Sequence, residues 1–235
     1  SDGRSMPIIL YDLVGRDDRR FSSNCCKTVY ALAHKGLAFE TAPTRFTDIV
    51  EICDGLFQTI PVIRDGDCWV GDSWDIAIYL EETYAELPSV FGGSAGVEYA
   101  RFMAQWNAAR IQPLVMTMIV HDIYERLDPA DQPYFWESRE QRLGRPIDEV
   151  VKGREERLPE LRARLEPLRS VVSEQPFLGG VGPAYTDYLA MAPFIWGRRV
   201  SPFALLQPDD PVHAWAHRCL DLYDGLMRHD TDFDW

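Results

Sequence analysis

Two serines, an asparagine and two adjacent cysteines open a predicted helix in the stretch RRFSSNCCKTVYALAHKG, residues 19–36. The start of a helix presents unpaired backbone N–H groups and the positive end of the helix dipole, so it favours an anion. A hydroxyl of Ser22 or Ser23 could donate to a bound thiolate there, which would lower the pKa of the thiol and raise its reactivity. Capping of the helix is the structural alternative for the same hydroxyls.

Two later stretches could hold the rest of such a ligand. Pro61 opens a strand in TIPV, where proline removes one donor of the β-ladder and is favoured in a cis peptide bond. That geometry would leave the backbone N–H and carbonyl of Val62 free to pair with an extended, peptide-like ligand. In GDS, Asp72 and Ser73 begin the next helix and offer a carboxylate, a hydroxyl and free backbone donors. An edge proline and an N-cap are the structural alternatives.

The elements that must position these residues follow from the hydrophobic periodicity. The predicted elements are a strand at 7–12, a helix at 25–36, a strand at 37–43, a helical stretch at 47–53, two strands within 60–73 and a helix from 73 to 87. The segment PSVFGGSAG then indicates a linker, and helical periodicity follows it. We therefore predict a βαβαββα unit at 6–88, a linker at 89–94 and an all-helical domain at 95–235. Pro113 should kink the longest helix, near Val97 to Leu127.

The composition indicates a globular protein and excludes some partners. Apolar residues make up 46% of the chain, which can bury a sizeable core. The net charge of -13 opposes binding to nucleic acid and to anionic membranes. The chain has no apolar run of about 18 residues, and its start lacks the apolar core of a signal peptide, so we expect a cytoplasmic protein. Residues 1–5, before Met6, are left out of the fold prediction. The acidic end, RHDTDFDW, is expected to be a solvated tail.

The cysteines and histidines favour no metal site. Five cysteines are an odd number without paired metal-ligand spacings, which is typical of reduced intracellular thiols. His213 and His217 have the i, i+4 spacing of a zinc pair, but the sequence offers no third ligand. We therefore predict that the protein binds no metal.

These motifs, in this order, resemble the cytosolic glutathione transferases. Four stretches are similar to the lignin β-etherase branch, with its bacterial enzymes and fungal etherase-like relatives: YDLVGRDDRRFSSNCCKTVYALAHKGLAFE, DGDCWVGDSWDIAIYLEETY, GREERLPE and LDLYDGLMRHD. The resemblance covers essentially Met6 to Asp230. It implies a thioredoxin-like N-terminal domain that binds glutathione, an all-helical C-terminal domain that carries a hydrophobic substrate pocket, and a homodimer.

The resemblance also assigns roles at the first helix, which in that branch typically opens Ser-Pro-(Asn or apolar)-x-Trp-(Lys or Arg)-Thr. Ser22 falls on the catalytic serine and Asn24 on the asparagine, so both are expected to steady the glutathione thiolate. Ser23 replaces the proline and is counted with the glutathione-binding residues, and Cys26 replaces the tryptophan. These two departures alter the mouth of the site.

Further residues take their roles from the same resemblance. Val62 is expected to hold the cysteinyl backbone of glutathione, and Asp72 and Ser73 its γ-glutamyl end. Asp187 matches a buried aspartate of the family, whereas Ala184 occupies the place of its usual Ser, Thr or Asn cap. A lost cap affects stability by about 1 kcal/mol and not catalysis.

The activity implied by this branch is glutathione-dependent cleavage of a β-aryl ether. The thiolate attacks the carbon that bears an aryloxy group, a phenolate leaves, and a glutathione thioether remains. The second substrate is then a small aromatic compound. Aromatic and thioether side chains of the helical domain are the candidate pocket residues: Phe102, Trp106, Met116 and Phe194, with Met103, Tyr124, Trp136 and Trp196 as a wider set.

Two alternatives stay open. SSNC has the spacing of a C-x-x-C motif whose first cysteine is serine, so Cys25 could form a mixed disulfide with glutathione and act as an oxidoreductase. The substitutions at Ser23 and Cys26 also fit a protein that binds glutathione or an aromatic ligand without turnover.

Overall fold

A four-stranded mixed sheet forms the first part of the protein, whose residues 6–235 are described by a computed structural model; residues 1–5 lie outside it. The strands are β1 (Ile8–Leu13), β2 (Phe39–Thr44), β3 (Val62–Asp65) and β4 (Cys68–Gly71). Their order is β2-β1-β3-β4, in which β1 is parallel to β2 and antiparallel to β3, and β3 is antiparallel to β4.

One α-helix and a 3-10 segment connect strands of the sheet, and a second α-helix follows β4. They are α1 (Cys25–Lys35), the 3-10 segment (Phe46–Gly55) and α2 (Ser73–Thr83). Helix α1 ends at Lys35, close to its predicted end, and Gly36 caps it with a left-handed φ of 70°. The second helical stretch differs from the prediction because Cys53 and Asp54 adopt positive φ angles, which no α-helix accommodates.

The remainder of the described chain is helical, which confirms the predicted fold class. Its helices are α3 (Ser94–Trp106), α4 (Gln112–Arg126), α5 (Gln132–Leu143), α6 (Ile147–Val151), α7 (Leu158–Arg164), α8 (Glu166–Glu174), α9 (Tyr185–Val200) and α10 (Pro211–Gly225). No helix within residues 6–235 is both long and apolar enough to cross a membrane. The domain limits at 88 and 94 stay a prediction.

The predicted kink at Pro113 takes a different form. A π-helical turn at Asn107–Ile111 joins α3 to α4 without a break, and the N–H of Gln112 donates to the carbonyl of Asn107. Pro113 directly follows this turn, so the helix accommodates the proline by a local π-bulge.

Helix α1 is fixed against the helical part of the chain by aromatic side chains. The rings of Tyr30 and Tyr188 stack with centroids 4.5 Å apart, and the Tyr30 hydroxyl donates to the carbonyl of Cys219 at 2.9 Å. Nδ1 of His34 lies 2.6 Å from the Tyr188 hydroxyl. The start of α1 therefore has a defined position relative to α9.

A buried carboxylate organises the start of α9. The carboxylate oxygens of Asp187 accept hydrogen bonds from the backbone N–H groups of Leu178, Gly179 and Ala184 at 2.7 to 3.0 Å and from the indole of Trp215 at 2.9 Å. Asp187 is thus the buried aspartate that the sequence predicts. Ala184, the first residue of this motif, has no side-chain acceptor, so only the aspartate half of the cap is present.

The C-terminal segment is anchored, which corrects the expectation of a solvated tail. Both carboxylate oxygens of Asp232 accept from Nη1 of Arg199, at 2.6 and 2.7 Å, and neither side chain is appreciably exposed. The indole of Trp235 donates to the Ser201 carbonyl at 3.0 Å, and Nη1 of Arg198 donates to the Trp235 carbonyl. Acidic composition alone did not show that a buried arginine would require one of these carboxylates.

Arg199 also connects the tail to the loop that precedes α1. Its Nε donates to the carbonyl of Arg20 at 3.1 Å, and its Nη2 donates to the carbonyl of Met227 at 2.8 Å. Arg19 adds bonds from Nη1 to the carbonyls of Arg199 and Thr231, at 2.5 and 2.7 Å. Three segments that are distant in sequence therefore meet at one guanidinium.

Removal of the Asp232 charge should destabilise the fold. We expect Asp232→Asn to lower the free energy of unfolding by about 3 kcal/mol, because it leaves the Arg199 charge buried without a counterion. Urea denaturation followed by circular dichroism measures this change. Asp230→Asn, at an exposed position of the same tail, is the control and should shift stability by less than about 0.5 kcal/mol. Equal unfolding midpoints for the two variants would contradict the anchoring role.

Candidate functional site

A cleft of about 240 Å³ lies where the start of α1 faces α4, α5 and α9. It brings Ser22, Ser23 and Asn24 together with Ile60 of the N-terminal part. A polar cavity of about 510 Å³ lies between the loop before α1 and the C-terminal tail. Its buried charges are already paired, Arg20 with Asp12 and Arg199 with Asp232, so we take the smaller cleft as the candidate site.

Ser22 caps helix α1. Its Oγ accepts hydrogen bonds from the backbone N–H groups of Asn24 at 3.2 Å and of Cys25 at 3.0 Å. The structural alternative stated for this serine is therefore realised. Both bonds use acceptor sites of the hydroxyl, which leaves its single O–H as the group that can donate to a ligand.

The two residues after Ser22 are held by different partners. The hydroxyl of Ser23 is buried and accepts from Nε2 of Gln112, on α4, at 2.9 Å. Asn24 is exposed, and its Oδ1 accepts from Nζ of Lys27 at 3.0 Å. Because the carboxamide oxygen is engaged, the amide N–H₂ of Asn24 is the group available at the cleft.

The structure corrects the assignment of Val62. This residue is fully buried, and it has a strand on either side, with Tyr11 of β1 and Gly71 of β4 as its partners. The N–H and carbonyl of a residue in an antiparallel strand point to its neighbouring strands, so those of Val62 are directed into the sheet.

Ile60 is the residue that the sequence analysis missed. It lines the cleft, and the peptide bond that joins it to Pro61 is cis. Within residues 6–235, neither its N–H nor its carbonyl has a hydrogen-bond partner. The signal was available in TIPV, because a residue that precedes proline is pushed out of helical geometry and here lies just before β3 begins.

Asp72 caps α2 and adopts an unusual backbone conformation. Its Oδ1 accepts from the N–H groups of Trp74 at 2.9 Å and Asp75 at 3.2 Å, and its φ is 70°. Such a conformation costs a non-glycine residue about 1 to 3 kcal/mol and is commonest at functional sites. Burial lowers the pKa of Lys27 on α1, and the Asp72 carboxylate partly opposes that lowering. Ser73 follows in the first turn and is half-buried; neither residue lines the cleft itself.

Only one of the four predicted pocket residues lines the cleft. Met116 does, and so does Trp196 from the wider set. Phe102 and Trp106 instead line a separate apolar groove between α3 and α8, and Phe194 is fully buried in the core. Residues two apart on a helix point in nearly opposite directions, which explains why Trp196 reaches the cleft and Phe194 does not.

Helix α5 contributes cleft residues that were not predicted. Tyr134, Phe135, Arg139 and Arg142 line the cleft opposite Ser22. Burial lowers the pKa of Arg139 to about 10, with a further lowering from the charge of Arg142. In the sequence, these residues lie in a charged stretch with no apolar stripe, so periodicity gives no signal for them.

Comparison with known proteins finds a matching domain family and similar solved structures. Residues 100–207 match the family described as glutathione S-transferase, C-terminal domain. The fold superimposes on glutathione transferase GSTFuA3 from Phanerochaete chrysosporium with a TM-score of 0.75 and 27% identity, over 94% of this chain and 93% of that one. Residues 100–207 therefore match a glutathione S-transferase C-terminal domain, and the described chain has the glutathione transferase fold.

Two further similarities agree with this placement. The glutathione S-transferase CsGST83044 of Ceriporiopsis subvermispora, solved in complex with glutathione, superimposes with a TM-score of 0.75 and 24% identity, over 94% of this chain and 95% of that one. The glutathione S-transferase-like protein ustS of Aspergillus flavus is 23% identical over 82% of this chain and 81% of its own length. This chain is thus a glutathione transferase-like protein, and its assignment to the β-etherase branch stays a prediction.

The cysteines at the start of α1 are buried in this glutathione transferase-like protein. Cys25 and Cys26 are 1% and 4% exposed, and the Cys26 thiol donates to the Ser23 carbonyl at 3.2 Å. Burial raises the pKa of Cys25 well above its usual value, and the Asp12 carboxylate adds to the shift. Burial raises the pKa of Cys26 to about 12. Neither thiol is accessible or ionised at neutral pH, which argues against the oxidoreductase alternative.

Alkylation should distinguish the cysteines. At pH 8 we expect iodoacetamide to modify the exposed Cys68 first and to leave Cys25 and Cys26 intact, because the reactive thiolate is scarce and shielded at both. Peptide mass spectrometry measures the extent of labelling at each site. The same reaction in urea, where all three should react, is the control. Labelling of native Cys25 at the rate of Cys68 would restore the oxidoreductase hypothesis.

Proposed function

We propose that this protein is a glutathione-dependent transferase in which Ser22 stabilises the glutathione thiolate. The observation that carries the proposal is that Ser22 lines the cleft and caps α1 with the acceptor sites of its hydroxyl, which leaves its O–H free to donate. The thiolate would also meet the positive end of the α1 dipole. Both effects favour the ionised form of the thiol over the neutral one.

The N-terminal part offers groups for the rest of glutathione. The N–H and carbonyl of Ile60 are free to pair with the cysteinyl backbone, as the edge of a sheet pairs with an added strand. Asp72 and Ser73 supply a carboxylate and a hydroxyl for the γ-glutamyl end. Ser23 and Asn24 lie next to the proposed position of the sulfur. A hydrogen bond from Gln112 holds the hydroxyl of Ser23, and the free amide N–H₂ of Asn24 can donate to the ligand.

We propose the cleavage of lignin-type β-aryl ethers as the reaction. The thiolate forms a carbon–sulfur bond at the carbon that bears the aryloxy group, the carbon–oxygen bond breaks, and phenolate leaves with the electron pair. Met116, Phe135 and Trp196 give the cleft an apolar wall suited to an aromatic substrate. The same site would serve conjugation of other aromatic electrophiles. The cytoplasm, where glutathione is plentiful and cysteines stay reduced, is the proposed location.

A second candidate is a protein that binds glutathione or an aromatic ligand without turnover. The observation that favours it is that Ser22 already caps α1, so its presence needs no catalytic explanation. Turnover measurements therefore decide between the two candidates.

Substitution of Ser22 tests the transferase proposal. We expect Ser22→Ala to lower kcat/KM for a fluorogenic β-aryl ether by roughly tenfold to a hundredfold at pH 7 and to raise the pKa of the bound thiol, because the thiolate loses a charge-assisted hydrogen bond. Release of the fluorescent phenol is followed across pH 6 to 10, and mass spectrometry detects the thioether. The lost activity should return as the pH rises.

Ser22→Thr is the control for this experiment, because it keeps a hydroxyl and the cap. It should retain most of the activity and the wild-type pH profile. Calorimetric binding of glutathione with no phenol from any aryl ether would favour the non-catalytic candidate. An unshifted pH profile in Ser22→Ala would contradict the role of Ser22.

We also propose a homodimer that uses the apolar groove between α3 and α8. The groove has a volume of about 280 Å³, and its lining holds no charged residue. Phe102 and Tyr99 on its rim are 67% and 41% exposed. Contiguous apolar surface of this kind is typical of protein interfaces, and a second copy of the chain is the occupant that the resemblance implies.

A charge in the groove should separate the subunits. We expect Phe102→Glu to be monomeric at concentrations where the wild type is dimeric, because the interface would have to bury an unpaired carboxylate. Light scattering coupled to size-exclusion chromatography measures the mass. Val181→Glu, at an apolar position that is 94% exposed outside the groove, is the control and should leave the mass unchanged. A monomeric wild type would contradict the proposal.

A further inference from the structure

The cleft carries a charge opposite to that of the whole chain. The protein has a net charge of -13, yet two arginines and no aspartate or glutamate line the cleft. Both arginines, Arg139 and Arg142, come from α5 and are one turn apart, so they lie on neighbouring parts of one helix face. The cleft is therefore a local cationic site within an acidic protein.

Arg139 is held in place without a counterion. Its guanidinium carbon lies 4.6 Å from the centroid of the Phe135 ring and 5.4 Å from that of Phe46, and Nη1 donates to the Ser138 hydroxyl at 3.0 Å. Its Nε is buried and has no hydrogen-bond partner among the described residues. The aromatic rings fix the plane of the guanidinium while its charge is unmatched.

Three other arginines of low exposure have an aspartate as a counterion. Arg154, Arg169 and Arg199 each lie within 3.0 Å of an aspartate carboxylate. Within residues 6–235, by contrast, no carboxylate lies within 4.0 Å of the guanidinium of Arg139 or Arg142. Arg139 is half-buried, so its unpaired charge costs free energy that an anionic ligand would recover, and the exposed Arg142 adds to the positive potential beside it.

We propose that the second substrate of this cleft is an aromatic compound that carries a carboxylate. The acid group pairs with Arg139 and Arg142, and the ring lies against Met116, Phe135 and Trp196. A guanidinium binds a planar carboxylate through two parallel hydrogen bonds, so the pair orients the ring as well as attracting it. This inference rests on the proposed transferase function and names the substrate class of the same site.

Glutathione is another source of a carboxylate, through its glycyl end. The arginines project from the helical part of the chain, whereas the groups proposed to hold glutathione, at Ile60, Asp72 and Ser73, belong to the N-terminal part. The aromatic rings around Arg139 also suit an aryl acid better than a peptide terminus. We therefore assign the arginines to the second substrate, and the experiment separates the two sources.

Equilibrium binding of a matched pair of ligands tests the proposal independently of turnover. 2-Naphthoate and 2-naphthamide have the same ring and nearly the same shape, but only the first is charged. Calorimetry with the full chain, with and without saturating glutathione, measures both affinities. We expect the wild type to bind naphthoate at least about tenfold more tightly than naphthamide, because a paired carboxylate adds a charge-assisted interaction.

Three variants show which arginines cause the tighter binding of naphthoate. Arg139→Gln and Arg142→Gln should each bring the naphthoate affinity to within about twofold to threefold of the naphthamide affinity, and should leave glutathione binding within about twofold of wild type. Arg145→Gln removes an exposed arginine just beyond α5 that does not line the cleft, and it should keep the wild-type preference. If Arg139→Gln does not fold, the exposed Arg142 carries the test alone.

Two results would overturn the proposal. One is equal affinity of the wild type for naphthoate and naphthamide. The other is a loss of glutathione binding of about tenfold in Arg139→Gln or Arg142→Gln with the naphthoate preference intact, which would assign the arginines to the glycyl carboxylate. Failure of the transferase function itself would appear differently, as selective naphthoate binding without any product from aryl ethers.

Discussion

The guanidinium of Arg199 is fully buried. The groups that pair with it fix the position of the C-terminal tail and of the loop that leads to the candidate site. Asp232 accepts from Nη1 through both carboxylate oxygens, and the carbonyls of Arg20 and Met227 accept from Nε and Nη2. Arg20 lies two residues before Ser22. The C-terminal tail is thus required for the position of the loop that leads into α1, because a buried charge without its partner costs several kcal/mol.

Helix α1 links the buried Arg199 ion pair to the cleft. Its N-terminal end is capped by Ser22, and its middle is fixed on α9 by the stacked rings of Tyr30 and Tyr188. The thiols of Cys25 and Cys26 lie buried behind the cap and stay protonated, so they do not compete with a ligand thiolate for the donors at the helix start. A small set of packed and hydrogen-bonded groups therefore presents one free hydroxyl donor in a fixed place.

The two parts of the chain supply different chemistry to one cleft. The N-terminal part offers hydrogen-bonding groups, through Ser22 and the unpaired backbone of Ile60, in a fold shared with fungal glutathione transferases. The helical part offers apolar and cationic surface, through Trp196 and the arginines of α5. This division suits a reaction between a peptide thiol and an aromatic compound. The peptide needs hydrogen-bonding groups, whereas the aromatic ring needs an apolar surface.

Local sequence determined those features that depend only on neighbouring residues. Periodicity predicted the βαβαββα order and an end of α1 near residue 36, and the position of Ser22 offered a helix cap as the alternative to a ligand-binding role. Tertiary structure decided which residue of TIPV keeps a free backbone, because only the pairing of β3 on both sides shows that Ile60, and not Val62, remains unpaired. It also decided which helix faces meet at the cleft, since the periodicity of a helix identifies its apolar side chains but not the surface on which they come to lie.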